Sequence, residues 1–301
     1  MSNISQTAKF RQLGKTGIEI SSMAWGMWRF EGDTSPASKL VHTVLDTGIN
    51  FFDTADIYGF NGASGFGDAE ALLGKLFLAE PGLRQKMILA SKGGIMPPLP
   101  YDSSAAYLSA AIDASLKRLG TDNLDLWFIH RPDILTHPQE IAKTLGDAVT
   151  AGKIRAIGVS NHTIAQIKSL QSFLDIPITA TQPELSPFCL DTIGNGELDL
   201  AMQMDMAVFA WSPLGGGRIS DAQNEREKAV VTALDAIAEE QNVSRSAAAY
   251  SWIMAHPARP IPIIGSQNEE RIRDAANAYA VNWTRDSWYN VLVASRGEQL
   301  P

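Results

Sequence analysis

The sequence has one cysteine, no long apolar run and fewer basic than acidic residues. Because Cys189 is alone among 301 residues, no disulfide forms within the chain, and we expect a reducing compartment. No apolar run reaches the roughly 20 residues of a membrane helix, and the first residues lack the layout of a secretory signal. The net charge of -8 argues against broad contact with nucleic acid. These absences predict a cytoplasmic protein with neither a nucleic-acid nor a membrane partner.

Short apolar runs recur along the whole chain, each with the length of a strand that is buried on both faces. They are Ser22–Trp28, Ile49–Thr54, Met87–Lys92, Leu124–His130, Ile154–Ser160, Ile178–Gln182, Ala207–Trp211 and Ile261–Gly265. No linker or change of composition divides them. We therefore predict that residues 1–301 form a single domain, as a monomer or weak oligomer.

Segments with helical spacing lie between these runs. They are Asp68–Leu78, Asp102–Leu119, Gln139–Ala151, Thr163–Phe173, Lys228–Gln241, Ser244–Ala255 and Asn268–Ala278, with a further helix near Arg285–Ala294. Alternation of strands and helices implies parallel strands, in either a closed barrel or an open doubly wound sheet. The count of eight strands favours the barrel, and the first strand lacks the G-x-G-x-x-G that an open dinucleotide-binding sheet needs. We predict an α/β fold, a (β/α)8 TIM barrel.

A β-hairpin is predicted before the barrel. Its turn is Gly14-Lys15-Thr16-Gly17, between the segments Phe10–Leu13 and Ile18–Ile20. Such a hairpin is in a position to plug the bottom of the barrel.

Polar residues end several of the apolar runs, at the face where active sites of such barrels lie. Asp53, Lys92 and His130 end three successive runs, and Tyr58 follows Asp53 by five residues. Each residue alone has an ordinary structural interpretation: a buried ion pair, a rim aromatic or a satisfied core histidine. Their joint appearance favours chemistry, since burying such groups unpaired is costly. We expect the Lys92 ammonium to lower the pKa of the Tyr58 phenol.

Five motifs occur in order along the chain. They are Asp53-Thr54-Ala55-x-x-Tyr58, Lys92 after an apolar strand, His130 before Arg131-Pro132-Asp133, Gly158-Val159-Ser160-Asn161, and Trp211-Ser212-Pro213-Leu214-Gly215-Gly216-Gly217. Together they resemble the aldo-keto reductases, from Leu13 to Arg271, and in particular the bacterial and fungal general oxidoreductases. The resemblance implies NADPH-dependent reduction of a small aldehyde or ketone. It also implies that Tyr58 donates the proton, His130 orients the carbonyl group, and Asp53 holds Lys92.

The resemblance further implies a cofactor site for NADP. Ser160, Asn161 and Gln182 are expected to hold the nicotinamide amide, Trp211 to stack on the ring, and Arg271 to bind the 2′-phosphate. The full set of predicted cofactor residues is Met27, Trp28, Asp53, Ser160, Asn161, Gln182, Trp211, Ser212, Leu214, Gly216, Arg218, Gly265, Ser266, Gln267, Arg271 and Asp274. Two positions depart from the family pattern, since many members have Lys at Gly265 and Asn at Ala275.

Other readings of the site remain open. The main alternative is an NADPH-binding regulatory subunit with little turnover, because potassium-channel β-subunits resemble the same family. A carboxylate hydrolase on this fold is a third hypothesis, although no second carboxylate ends a strand beside Asp53. We predict no metal site. Met27, Trp28, Tyr58, Trp211 and Asp133 are candidates for the substrate pocket, and the short segment after Arg271 predicts an open mouth.

Overall fold

In a computed structural model, which describes Ile4 and residues 7–301, eight parallel strands close into a barrel. A two-stranded antiparallel hairpin, β1 (Phe10–Gln12) and β2 (Glu19–Ser21), precedes it. The barrel strands are β3 (Ala24–Gly26), β4 (Phe51–Asp53), β5 (Ile88–Gly93), β6 (Leu126–Ile129), β7 (Ile157–Ser160), β8 (Ile178–Gln182), β9 (Ala207–Ala210) and β10 (Ile261–Ile264). They pair in chain order, and β10 closes the barrel against β3. The predicted TIM barrel with its hairpin is therefore confirmed.

Helices pack around the barrel. Within the described residues they are α1 (Thr34–Asp46), α2 (Asp68–Ala79), α3 (Ala105–Leu119), α4 (Pro138–Thr150), α5 (Ile164–Gln171), α6 (Asp191–Gly194), α7 (Glu197–Met204), α8 (Glu225–Gln241), α9 (Arg245–Met254), α10 (Glu269–Ala275) and α11 (Arg285–Arg296). The caps follow local chemistry. Thr163 and Ser244 accept hydrogen bonds from backbone N–H groups in the first turns of α5 and α9. Gly120 ends α3 in the left-handed conformation, with φ 62°.

Three helices were not predicted from the sequence: α1, the four-residue α6 and α7. Helix α1 buries Ala37, Leu40, Val41 and Val44, whose spacing is that of one helical face. Its apolar spacing is therefore sufficient to predict a helix. Helix α7 is only eight residues long, and its apolar pattern is too short to separate it from a loop.

The barrel has two apolar layers, one inside the strands and one between strands and helices. The inner layer includes Phe51, Phe128 and Phe209, and the rings of Phe51 and Phe209 stack with centroids 4.4 Å apart. Leu13 and Ile20, which flank the hairpin turn, are fully buried in the same layer. The hairpin thus closes the N-terminal end of the barrel, as predicted, and the C-terminal strand ends form the opposite face. No helix in the described part of the chain combines the length and apolarity needed to cross a membrane.

Candidate active site

A buried ion pair lies at the C-terminal end of the barrel. Asp53 is the last residue of β4, and Lys92 lies near the end of the neighbouring strand β5. The Lys92 Nζ donates to Asp53 Oδ2 at 2.7 Å and to the Thr54 carbonyl oxygen at 2.9 Å. Because both side chains are almost completely buried, the pair depends on this geometry to offset the cost of desolvation.

Tyr58 and His130 lie beside this pair, in the positions predicted for them. The Lys92 Nζ is 4.8 Å from the centre of the Tyr58 ring, and the rings of Tyr58 and His130 meet edge to face at 5.9 Å. Both rings are half-buried, so they border the mouth and not the core. The fold therefore brings all four predicted catalytic residues together from three strands and one loop.

The electrostatics of the phenol differ in part from the prediction. Burial raises the pKa of Tyr58 above its ordinary value, and the opposing effect of the Lys92 charge does not cancel it. Lys92 does lower this pKa, as predicted, but the larger effect of burial, which the sequence analysis did not consider, makes the net shift upward. Burial also opposes the charge on Lys92, but Asp53 and Tyr58 outweigh it, so the pKa of Lys92 is raised.

His130 is held in its neutral form. Burial and the charges of Lys92 and Arg131 keep its pKa well below the ordinary value. A neutral imidazole carries one N–H donor and one acceptor nitrogen. Within the described residues, His130 Nδ1 has no hydrogen-bond partner. The arrangement can therefore offer a phenol, a neutral imidazole and an ammonium to one bound oxygen atom.

A chain of hydrogen bonds joins the ends of β7, β8 and β9 to the ion pair. The Trp211 indole N–H donates to Asn161 Oδ1 at 2.9 Å, and Asn161 Nδ2 donates to Ser160 Oγ at 2.8 Å. The Ser160 hydroxyl donates to the Gln182 carbonyl oxygen at 2.8 Å, and Gln182 Nε2 donates to Asp53 Oδ1 at 3.1 Å. The last bond leaves Gln182 Oε1 as the free acceptor of its amide. The side chains of Ser160, Asn161 and Gln182 thus place hydrogen-bonding groups together at these strand ends, which suits a carboxamide ligand because it has both a donor and an acceptor.

The glycine-rich segment after β9 is a single 3-10 turn. Gly215, Gly216 and Gly217 all have left-handed φ values, between 65° and 108°, which only glycine adopts without strain. Gly216 and Gly217 face open space, since nothing lies within 4 Å of a Cβ built there. Arg218 is held at the end of the turn, where its Nε donates to the Gly215 carbonyl oxygen at 2.8 Å. The turn thus has room for an anionic group beside a fixed guanidinium.

The segment after β10 has a similar opening. Gly265 faces open space, and Gln267 Nε2 is buried without a partner among the described residues. The Ser266 carbonyl oxygen accepts from the Trp25 indole, which fixes the start of the segment. Arg271 lies exposed on α10. An unpaired buried donor next to an open glycine fits a bound polar ligand, so the residues present suit a dinucleotide.

Other predicted cofactor residues have different surroundings. Asp274 is engaged by the Ser244 hydroxyl and by Asn277 Nδ2, two contacts that stabilise the helix layer. Met27 is fully buried in the outer apolar layer, whereas Trp28 is 60% exposed at the mouth. Ser212 has a left-handed φ of 49° and its carbonyl oxygen caps the glycine turn, and Leu214 packs against the apolar core.

A second buried polar network lies behind the catalytic loop. Asp56, two residues before Tyr58, accepts a hydrogen bond from the Tyr107 hydroxyl of α3 at 2.8 Å. Its backbone N–H donates to the Lys92 carbonyl oxygen at 3.0 Å. Its other carboxylate oxygen is buried with no partner in the described structure. Mainly because of burial, the pKa of Asp56 rises to about 7. No pattern in the sequence distinguished Asp56 from a surface carboxylate.

Arg131 is the other residue that sequence reasoning did not assign to the site. It follows His130 directly, and its guanidinium carbon lies 5.7 Å from the centre of the Trp211 ring. The only available signal was its position beside a strand-end histidine.

The chain is similar to proteins of known family. Residues 22–291 match the model of the aldo/keto reductase family. The chain is 60% identical over its full length to a "6-dehydroglucose reductase" of Novosphingobium aromaticivorans, all of whose length is covered. It is 37% identical to a protein of the same name from Agrobacterium fabrum, with 94% of this chain and 97% of that protein covered.

Its fold also matches a solved structure. A crystal structure of a thermostable aldo-keto reductase with the inhibitor epalrestat superposes with a TM-score of 0.82. The match covers 95% of this chain and 99% of the other, at 24% sequence identity. Together with the family match over most of the chain, the comparisons lead to one conclusion: the chain belongs to the aldo/keto reductase family, and it is an oxidoreductase.

Proposed function

We propose that this protein reduces the aldehyde group of a small hydroxylated substrate of the sugar type, with NADPH as the hydride donor and Tyr58 as the proton donor. In the balanced reaction, an aldehyde, NADPH and one proton yield a primary alcohol and NADP⁺. The observation that carries the proposal is the joining of Tyr58, His130 and the Lys92–Asp53 pair at one mouth of the barrel.

The protein residues act on the carbonyl oxygen. Bound NADPH supplies the hydride that adds to the carbonyl carbon. His130, neutral under ordinary conditions, orients the oxygen by hydrogen bonding. The Tyr58 phenol transfers its proton to the alkoxide that forms, and the Lys92 charge stabilises the phenolate that remains.

The raised pKa of Tyr58 supports this role in the direction of reduction. A phenol that holds its proton at neutral pH is ready to act as an acid when the substrate binds. The transfer is favourable because an alkoxide is a much stronger base than a phenolate. Asp53 keeps Lys92 charged, so the ammonium is present when the phenolate forms.

Two observations support the cofactor and the substrate class. Arg271 is exposed on α10 and forms no ion pair within the described residues, so it is available for the 2′-phosphate that distinguishes NADPH from NADH. Two relatives named 6-dehydroglucose reductase, which are 60% and 37% identical over nearly the whole chain, support a sugar aldehyde as the substrate.

The test follows NADPH oxidation by the purified protein with D-glyceraldehyde and other small aldehydes. We expect Tyr58→Phe to lose at least about 100-fold in turnover, since that is the usual contribution of a general acid. Its affinity for NADPH, measured by fluorescence, should stay close to that of the wild type. Tyr289→Phe, at an exposed tyrosine of α11, is the matched control.

Two results would count against the proposal. Full activity of Tyr58→Phe would remove Tyr58 as the proton donor. Tight NADPH binding by the wild type, with no oxidation in the presence of any aldehyde, would favour the regulatory-subunit alternative.

A further inference from the structure

We infer that Arg131 and Trp211 form a substrate subsite that binds hydroxyl groups on the carbons next to the reacting aldehyde. The inference rests on the proposed function and deepens it, because it names the residues that select a hydroxylated substrate. Arg131 takes no part in the proposed proton transfer.

The position of Arg131 places it beside the reacting atoms. Arg131 directly follows His130 at the end of β6, and its guanidinium lies against the Trp211 ring. Burial, Lys92 and Arg131, in that order, lower the pKa of His130. For Tyr58, burial raises the pKa, and the charges of Lys92 and, more weakly, Arg131 act in the opposite direction. Because Arg131 adjoins His130 in the chain and contacts Trp211, it lies at the same end of the barrel as the predicted catalytic residues.

The Trp211 ring against which Arg131 rests is itself fixed. Its indole N–H donates to Asn161 Oδ1 at 2.9 Å, and Asn161 is held in turn by Ser160. The arginine and the indole therefore form an oriented pair at the mouth. Such pre-organisation lowers the entropy lost when a ligand binds.

The Arg131 guanidinium has no acceptor in the part of the chain that the structure describes. Among the described residues it forms no ion pair and no side-chain hydrogen bond. The carboxylate closest in sequence, Asp133, is already engaged by the Ser103 N–H, the Leu135 N–H and the Thr136 hydroxyl. A half-buried guanidinium with no acceptor has donors available for a ligand.

The chemistry of this pair selects the ligand. A guanidinium is a planar group with five N–H donors, which suits two oxygen atoms held side by side. Hydroxyl groups on adjacent carbons present such a pair, and Trp211 holds the guanidinium in place to receive it. Because the proposed substrate is an uncharged sugar-type aldehyde, we assign the subsite to a neutral polyhydroxy compound.

The experiment compares D-glyceraldehyde with propanal, which have the same number of carbons and differ in two hydroxyl groups. The measured quantity is the ratio of their kcat/KM values. For Arg131→Met we expect this ratio to fall about 100-fold or more, because two hydrogen bonds to a charged group are lost. Arg131→Lys should recover only part of it, since an ammonium lacks the planar fork. Arg285→Met, at an exposed arginine of α11, controls for the loss of one positive charge.

The contribution of Arg131 to binding hydroxyl groups can also be measured without turnover, from the affinity of each variant for glucose. Calorimetric titration with glucose should show weaker binding to Arg131→Met than to the wild type or Arg285→Met. Circular dichroism of each variant establishes that it is folded.

Several outcomes would overturn the inference. An equal loss on both aldehydes would mean that Arg131 acts on the chemistry itself, and an unchanged ratio with unchanged glucose binding would mean that it contacts no hydroxyl group. A greater dependence on Arg131 for succinic semialdehyde relative to butanal would identify an anion subsite instead. If the wild type reduces no aldehyde, the proposed function fails, and the glucose titration still decides the subsite.

Discussion

Asp56 makes the stability of the protein depend on pH in a way that one substitution should remove. Its carboxyl group is buried between the catalytic loop and helix α3, with Tyr107 as its side-chain partner. Burial raises its pKa most, and Glu70 adds to the rise, while the Tyr107 hydrogen bond and the Arg118 charge oppose it. The result is a pKa of about 7 in the folded protein, against 3.8 as the ordinary value.

The sign and size of the effect follow from linkage. Since the folded-state pKa is raised, the stability that the protonated group contributes is fully present below pH 3.8 and is lost as the pH rises through 7. The shift of roughly three units corresponds to about 4 kcal/mol in total, at about 1.4 kcal/mol per unit. Between pH 5 and pH 8 the loss should be about 2 to 3 kcal/mol.

The assay is urea unfolding of the wild type and Asp56→Asn at a series of pH values from 5 to 8. The asparagine has a similar shape but does not ionise, so the variant should gain stability relative to the wild type as the pH rises. Asp147→Asn, at an exposed carboxylate on α4, controls for the loss of one charge. A difference between wild type and Asp56→Asn that stays constant over this pH range would refute the reasoning.

Two further substitutions test the contacts around the site. Lys92→Met should lose turnover and about 3–5 kcal/mol of unfolding free energy, because it leaves the Asp53 carboxylate buried without its ion-pair partner. Urea unfolding measures the loss, and an unchanged midpoint would show that the pair is not buried as described. Ser244→Ala should lower the free energy of unfolding by about 1–2 kcal/mol, since the hydroxyl both caps α9 and donates to Asp274. Thermal unfolding measures the loss, and Ser244→Asn, which restores a cap, should recover part of it.

Much of the fold was predictable because its signals are local. The apolar runs predicted the barrel strands to within a few residues, as for the run Ile178–Gln182, which coincides with β8. The helix caps were also predictable, since they depend on one side chain and the next three residues. Helix α1 was missed although its apolar spacing was present, and α7 was missed because eight residues carry too little pattern.

The candidate site was predictable only in part. That Asp53, Lys92 and His130 end successive strands indicated that they would meet, because parallel strand ends share one face of the barrel. The direction of the pKa shift of Tyr58 was not predictable, since it depends on how completely the phenol is removed from water.

The amino-acid pattern alone thus determined the alternation of strands and helices and the residues that end each strand, because each of these depends on neighbours within a few positions. The count of eight strands favoured a closed barrel, but the closure itself is the pairing of β10 with β3, which are far apart in the sequence. Only the tertiary structure decided which side chains are buried and which lack partners. Arg131 lies against Trp211 and Asp56 is buried beside Tyr107, and both contacts join segments that are far apart in the sequence. Desolvation and hydrogen bonding depend on such contacts, which sequence separation does not reveal.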